Sequence, residues 1–153
     1  MLVEAAHFDP VSVARTARRH RLPSEAAKRF ERGVDPRLPA VAAQRVVDLL
    51  VELGGGTADP AVGDLDTTAP PAPVELDPTL PTRLSGVEYD GATVVRILEQ
   101  IGCTVAEGER LRVTPPSWRP DLTEPAALVE EVVRIAGYDR IPSVLPAAPG
   151  GRG

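Results

Sequence analysis

Cys103-Thr104-Val105-Ala106, then Glu107-Gly108, then Leu111-Arg112-Val113-Thr114 is the stretch that decides the fold. Apolar and polar residues alternate on both sides of a Gly-containing turn, the pattern of a half-buried two-stranded hairpin. Ahead of it, Asp90 caps a predicted helix from Gly91 to Ile101, whose Val94, Val95, Leu98 and Ile101 recur at helical spacing. Behind it, a rigid Pro115-Pro116-Ser117-Trp118-Arg119-Pro120-Asp121 loop leads to a helix from about Pro125 to Ala136, capped by Thr123 or Glu124 and stopped at Gly137. Leu128, Val132 and Ile135 share its core face, and Trp118, the chain's one tryptophan, is placed to seal the hairpin against it.

Upstream of the hairpin the same grammar continues. Val74-Glu75-Leu76 reads as a short strand, Asp77-Pro78 caps a brief helix to about Leu84, and Val87-Glu88-Tyr89 reads as another strand. Helix, helix, hairpin, helix in about seventy residues is a winged-helix-like arrangement. Thr67-Thr68-Ala69-Pro70-Pro71-Ala72-Pro73 forms a polyproline-like linker before it. The predicted organisation is a first part over 1–65, a linker over 66–73, a second domain over 74–142 and a flexible tail over 143–153.

The first part is expected to be mainly helical with short strands. A strand starts near Glu4. Asp9 caps a helix opened by Pro10 and running through about Arg19, and Ser24 caps a second from Glu25 to Arg32, ended by Gly33. Asp35-Pro36 starts the longest helix, where Leu38, Ala42, Val46, Leu49 and Leu53 make an apolar stripe. Gly54-Gly55-Gly56 stops it. The fold class is therefore α+β.

Composition limits function. The chain has 153 residues, 42% of them hydrophobic and only 3% aromatic, so its core is aliphatic. A single Cys103 excludes an internal disulfide and a Cys-based zinc site and suits a small buried residue in a reducing cytosol. No secretory leader and no membrane-length apolar run is visible, so the expectation is a soluble, cytoplasmic chain without membrane contact. Residues 1–65 carry nine Lys/Arg and nine Asp/Glu, whereas residues 66–153 net −5, which weighs against nucleic-acid binding by the second half. No Gly-rich phosphate loop, no Ser/His/Asp set and no His-x-Glu zinc pattern appears.

Two strings identify a family. Ser24-Glu25-Ala26-Ala27-Lys28-Arg29-Phe30-Glu31-Arg32-Gly33-Val34-Asp35-Pro36 and the segment from Pro115 to Pro142, with its Ser117-Trp118-Arg119-Pro120-Asp121, resemble the beta subunit of bacterial phenylalanine-tRNA ligase over about residues 2–146. The resemblance implies a fragment: the C-terminal part of the B3/B4 domain that hydrolyses mischarged tyrosyl-tRNA, followed by the B5 domain. It further implies a role in protein biosynthesis, an alpha-subunit partner, tRNA(Phe), and ATP binding by the whole enzyme. No complete aminoacylation site is expected on this chain.

The same resemblance assigns candidate residues. Glu4, Ser24 and Ala26 fall on positions lining the family's editing pocket, Ser24 keeping a hydroxyl where Thr is usual. A family histidine finds no match, since neither His7 nor His20 corresponds to it. Ester hydrolysis needs an acceptor to orient water, and choosing tyrosine over phenylalanine needs polar groups for one hydroxyl. Read without the family, Ser24 is a helix cap, Ala26 helix filler and Glu4 a surface charge. Four acids of the family's B5 region are associated with Mg2+ near the alpha-subunit contact; three fall on Asp121, Glu130 and Glu131, and the fourth on Ala127, which has no ligand atom. Oxygen donors suit that cation. Glu130 also stands four residues before Arg134, an i,i+4 ion-pair spacing, so a structural carboxylate network explains the acids without any metal.

A basic cluster, Arg15, Arg18, Arg19, His20 and Arg21 followed by Lys28, Arg29 and Arg32, is either a solvated face or a contact for tRNA phosphate. Two other functions remain open: a free-standing winged-helix nucleic-acid binder and an autonomous aminoacyl-tRNA hydrolase.

Overall fold

The computed structural model describes residues 1–144. Its elements in chain order are α1 (Pro10–His20), α2 (Glu25–Glu31), α3 (Leu38–Gly54), β1 (Val74–Leu76), α4 (Leu80–Ser85), α5 (Gly91–Gln100), β2 (Thr104–Ala106), β3 (Leu111–Thr114) and α6 (Pro125–Ala136), with a 3-10 turn over Tyr138–Arg140. Helices and a small antiparallel sheet make it α+β. The chain divides into two compact units, Met1–Pro71 with Ser117–Pro120, and Ala72–Pro116 with the residues from Asp121 onward. The tail predicted over 143–153 lies, from residue 145, outside the described residues.

The second unit is built on the hairpin. β2 and β3 pair antiparallel with Val105 opposite Val113, and β1 adds to the other side of β3, giving the order β1-β3-β2. Val74 stands opposite Val113 and Leu76 opposite Leu111, so one face of the sheet is aliphatic and points inward. α5 and α6 cover that face. Leu76, Val94, Leu98, Val113, Leu128 and Val132 are fully buried there, with Ile97 and Leu122 beside them. Burying each such side chain contributes about 1.5–3 kcal/mol against leaving it in water. Cys103 is buried as one small apolar member of this core.

Several boundaries differ from the sequence reading, for one recurring reason. Asp35 and Asp77 do not cap the helices that follow them. Asp35 Oδ1 accepts from Arg37 N at 2.9 Å and Asp77 Oδ1 from Thr79 N at 2.9 Å, so each Asp-Pro pair closes a turn two residues on. The helices then start at Leu38 and Leu80, with no side-chain cap. Val87-Glu88-Tyr89 alternates as a strand would, but its N–H groups go to side chains: Val87 N donates to Ser85 Oγ and Tyr89 N to Thr82 Oγ1. It joins no sheet. Asp90 does cap α5, accepting from Thr93 N at 2.6 Å.

In the first unit α1 and α2 pack together, and an edge-on contact between Phe8 and Phe30, 5.3 Å between ring centres, ties the segment before α1 to α2. Asp9 caps α1 and Ser24 caps α2, as their spacing implies. Gly33 follows α2 at φ +87°, a geometry that residues with a Cβ rarely take. The strand expected at Glu4 is absent: residues 1–9 carry no ladder, because no strand among the described residues lies beside them. The apolar stripe of α3 forms but is not buried: Leu38, Val46 and Leu53 are exposed and Ala42 and Leu49 half-buried. No side chain of α1, α2 or α3 is buried, and Leu53 remains 79% exposed.

Candidate functional site

The carboxylates of the second unit are set by α6. This helix starts at Pro125, its Leu128, Val129, Val132 and Val133 turn toward the sheet, and Ile135 lies at the exposed margin instead of in the core. That rotation carries Glu131 inward with them. Glu131 is only 4% exposed, the one buried charged residue among those described, and its Oε2 accepts from Arg134 one turn on. A carboxylate in so dry a place requires such a charged donor.

Glu130, one step round the helix, faces solvent and accepts a hydrogen bond from the Tyr138 hydroxyl. The ion pair with Arg134 is therefore made by Glu131 at i,i+3, not by Glu130 at i,i+4. The bond to Glu130 holds the Tyr138 hydroxyl above its ordinary pKa, because the carboxylate accepts from the protonated phenol and repels the phenolate. Gly137, at φ +104°, makes the bend that brings Tyr138 back over α6; a Cβ there would lie 2.5 Å from Asp139 Oδ1. Tyr138 was not singled out in the sequence, although its place directly after the helix-stopping glycine was the available signal.

These commitments test the expected Mg2+ set of Asp121, Glu130 and Glu131. Glu131 is engaged with Arg134 and Glu130 with Tyr138, the fourth position is Ala127 packed against the core, and no group of three Asp, Glu, His or Cys among the described residues could hold one ion. The donors present do not fit a carboxylate cage. Trp118, expected in the core, is 57% exposed.

In the first unit an open groove of about 420 Å³ runs between α1 and α2, lined by Phe8, Ser12, Thr16, Leu22, Ser24 and Ala27 among others. Of the three editing candidates it takes in Ser24 alone. Ser24 Oγ accepts from Ala27 N at 3.0 Å as the cap of α2, leaving its O–H to point elsewhere. Glu4 and Ala26 are exposed and do not line the groove. Ser12 and Thr16 were missed, although their i,i+4 spacing on one face of α1 with Ser24 following was visible.

Residues 74–138 match the family described as the tRNA synthetase B5 domain, and residues 1–55 match the B3/4 domain. The phenylalanine-tRNA ligase beta subunit of Streptomyces avermitilis is 57% identical over 153 residues, covering 100% of this chain. That of Leifsonia xyli subsp. xyli is 58% identical over 154 residues, and that of Thermobifida fusca 51% identical over 154 residues. The chain spans 18% of the length of each of these relatives. A closed B5 domain, a helical B3/4 segment and identity above one half from end to end establish that this chain belongs to the phenylalanine-tRNA ligase beta subunit family.

Proposed function

We propose that the chain is the B3/4–B5 part of a phenylalanine-tRNA ligase beta subunit and serves phenylalanyl-tRNA synthesis and proofreading in the cytoplasm by assembly, with no complete active site of its own. The observation that carries this is the contrast between its parts. The B5 unit closes its own core around Leu98, Leu128 and Val113, while α3 leaves its apolar stripe open. The open stripe is the surface we assign to the remainder of such a subunit.

Within this reading Glu4, Ser24 and Ala26 contribute to an editing pocket that other parts of the subunit complete. Ser24 offers its free O–H, and exposed Glu4 offers an acceptor for a water or a phenolic hydroxyl. Asp121, Glu130 and Glu131 serve the B5 unit as structural carboxylates, Glu131 through Arg134 and Glu130 through Tyr138. No step is assigned to Mg2+. A membrane role finds no support in the helices, none of which among the described residues is long and apolar enough to cross a bilayer.

The partners are an alpha subunit and tRNA(Phe). The test is co-expression of the 153-residue chain with the alpha subunit of the same enzyme, wild type beside Asp121→Ala. Co-elution of wild type, weakened by Asp121→Ala, is expected. Separate elution of both would overturn the assembly role. Tyrosyl-tRNA deacylation by the chain alone, lost in Glu4→Ala, would replace it with an autonomous hydrolase.

A further inference from the structure

Helix α1 carries no acidic residue between Pro10 and His20, and none follows until Glu25. It does carry Arg15, Arg18 and Arg19, with Arg21 directly after it, and all four are exposed. At 100° per residue the three helical arginines fall within an arc of about 100°, on the side away from Val13 and Ala17, which line the groove toward α2. None of the four makes an ion pair or a side-chain hydrogen bond among the described residues. The flanking acids are engaged: Asp9, at the far end of the helix, accepts from Ser12 N and feels Arg15 only through space, and Glu25 pairs with Lys28 at 2.7 Å.

We propose that this outer face of α1 is a contact surface for the phosphate backbone of RNA, with Arg15, Arg18, Arg19 and Arg21 as its phosphate ligands. The span from residue 15 to residue 21 is about 9 Å along the helix, the axial reach of roughly three successive phosphates on one duplex strand. Guanidinium groups match phosphate oxygens bidentately, which the ammonium of lysine cannot do, and all four positions hold arginine.

Complementing the helix dipole does not explain the set. That effect fades within the last turn, whereas Arg15 sits mid-helix. Arg21 is instructive in its own right. It is the only non-glycine residue at positive φ among those described, +53°, a position where glycine is the easy choice. A cation stands there against the backbone preference. The identification of the RNA as tRNA rests on the function proposed above; the charge argument does not.

The test measures binding of a fluorescein-labelled tRNA(Phe) transcript to the 153-residue chain by anisotropy at several salt concentrations. The three phosphates within that reach predict an affinity that falls about 20- to 40-fold between 50 and 200 mM salt, and the combined Arg15→Gln, Arg18→Gln, Arg19→Gln variant, which keeps Arg21, should lose most of that dependence. Arg96→Gln, in the other unit, should bind as wild type. Arg21→Gly separates binding from folding: relieving the positive φ should raise the melting temperature while affinity for tRNA falls several-fold. An unchanged salt slope in the triple variant, no tRNA binding by wild type at 50 mM salt, or binding to anionic phosphatidylserine vesicles in place of tRNA would each overturn the proposal. Alpha-subunit co-elution of the triple variant is scored in parallel. RNA binding that tracks the arginines when no alpha subunit is captured upholds this surface and removes the assembly role instead.

Discussion

Two leucines of this chain should respond to the same chemistry in opposite ways. Leu128 in α6 is 0% exposed between the sheet and α5, whereas Leu53 in α3 is 79% exposed. Leu128→Ala removes a buried isobutyl group and leaves a cavity that α6, fixed by Val129, Val132 and Val133, cannot collapse, which costs about 2–5 kcal/mol. A unit of this size has a total stability of only about 3–10 kcal/mol. The loss should lower its melting temperature by about 8–40 °C, the upper end meaning that no fold survives at room temperature. Leu53→Ala removes little buried area and exchanges one good helix former for another, so its effect should stay within about 0.5 kcal/mol. Thermal unfolding by circular dichroism, with the Val113 methyl signals in NMR as the local probe of the B5 core, reads both. Equal losses for the two variants would refute the division into a closed unit and an open one.

Other expectations follow from single groups. Tyr89 is 8% exposed and its hydroxyl has no hydrogen-bond partner among the described residues, while Arg140 lies 5.7 Å from its ring centre. Tyr89→Phe should therefore raise stability by about 1 kcal/mol in a urea titration. Backbone and side-chain hydrogen bonds from Thr93 hold the Asp90 carboxyl below its ordinary pKa. A depressed folded pKa gives stability that is present above the unfolded value and lost as pH falls, so Asp90→Asn, which still caps Thr93 N, should flatten the acid limb of the stability-pH curve. The Tyr138 hydroxyl, held above its ordinary value by Glu130, adds stability below the unfolded pKa that disappears as pH rises through the folded one; Tyr138→Phe should remove that alkaline loss, read by melts between pH 8 and 11. Calorimetric titration with MgCl2 should give no saturable heat, and a 1:1 isotherm abolished by Glu130→Gln would restore the metal.

Much of the fold was legible because its signals are local. Caps at Asp9, Ser24 and Asp90, glycine stops at Gly33 and Gly137, and the Glu107-Gly108 hairpin turn all act within a few residues of themselves. What escaped depends on distant partners or on competing local bonds. β1 could be read as a strand but not as the neighbour of β3, a pairing across 35 residues of chain. Asp35 and Asp77 looked like caps because a carboxylate before proline serves either a cap or a turn, and only the backbone angles decide. Val87 to Tyr89 has strand alternation because it is half buried, yet side chains of Thr82 and Ser85 take its N–H groups.

The site was less legible than the fold. Family strings pointed to Asp121, Glu130 and Glu131, but the choice between Glu130 and Glu131 for Arg134 turns on a rotation of α6 set by its four buried aliphatics. The stripe on α3 was read correctly as apolar. Its burial could not be, since periodicity shows which face seeks a partner and not whether the partner is present.

Native-state hydrogen exchange on the 153-residue chain tests the central claim most directly, because it reports the closure of each helix separately. The account predicts that amides of Val94, Leu98, Val113, Leu128 and Val132 exchange only through global opening of the B5 unit, while those of α3 from Val41 to Leu53 exchange orders of magnitude faster. Protection in α3 equal to that in α6 would contradict it.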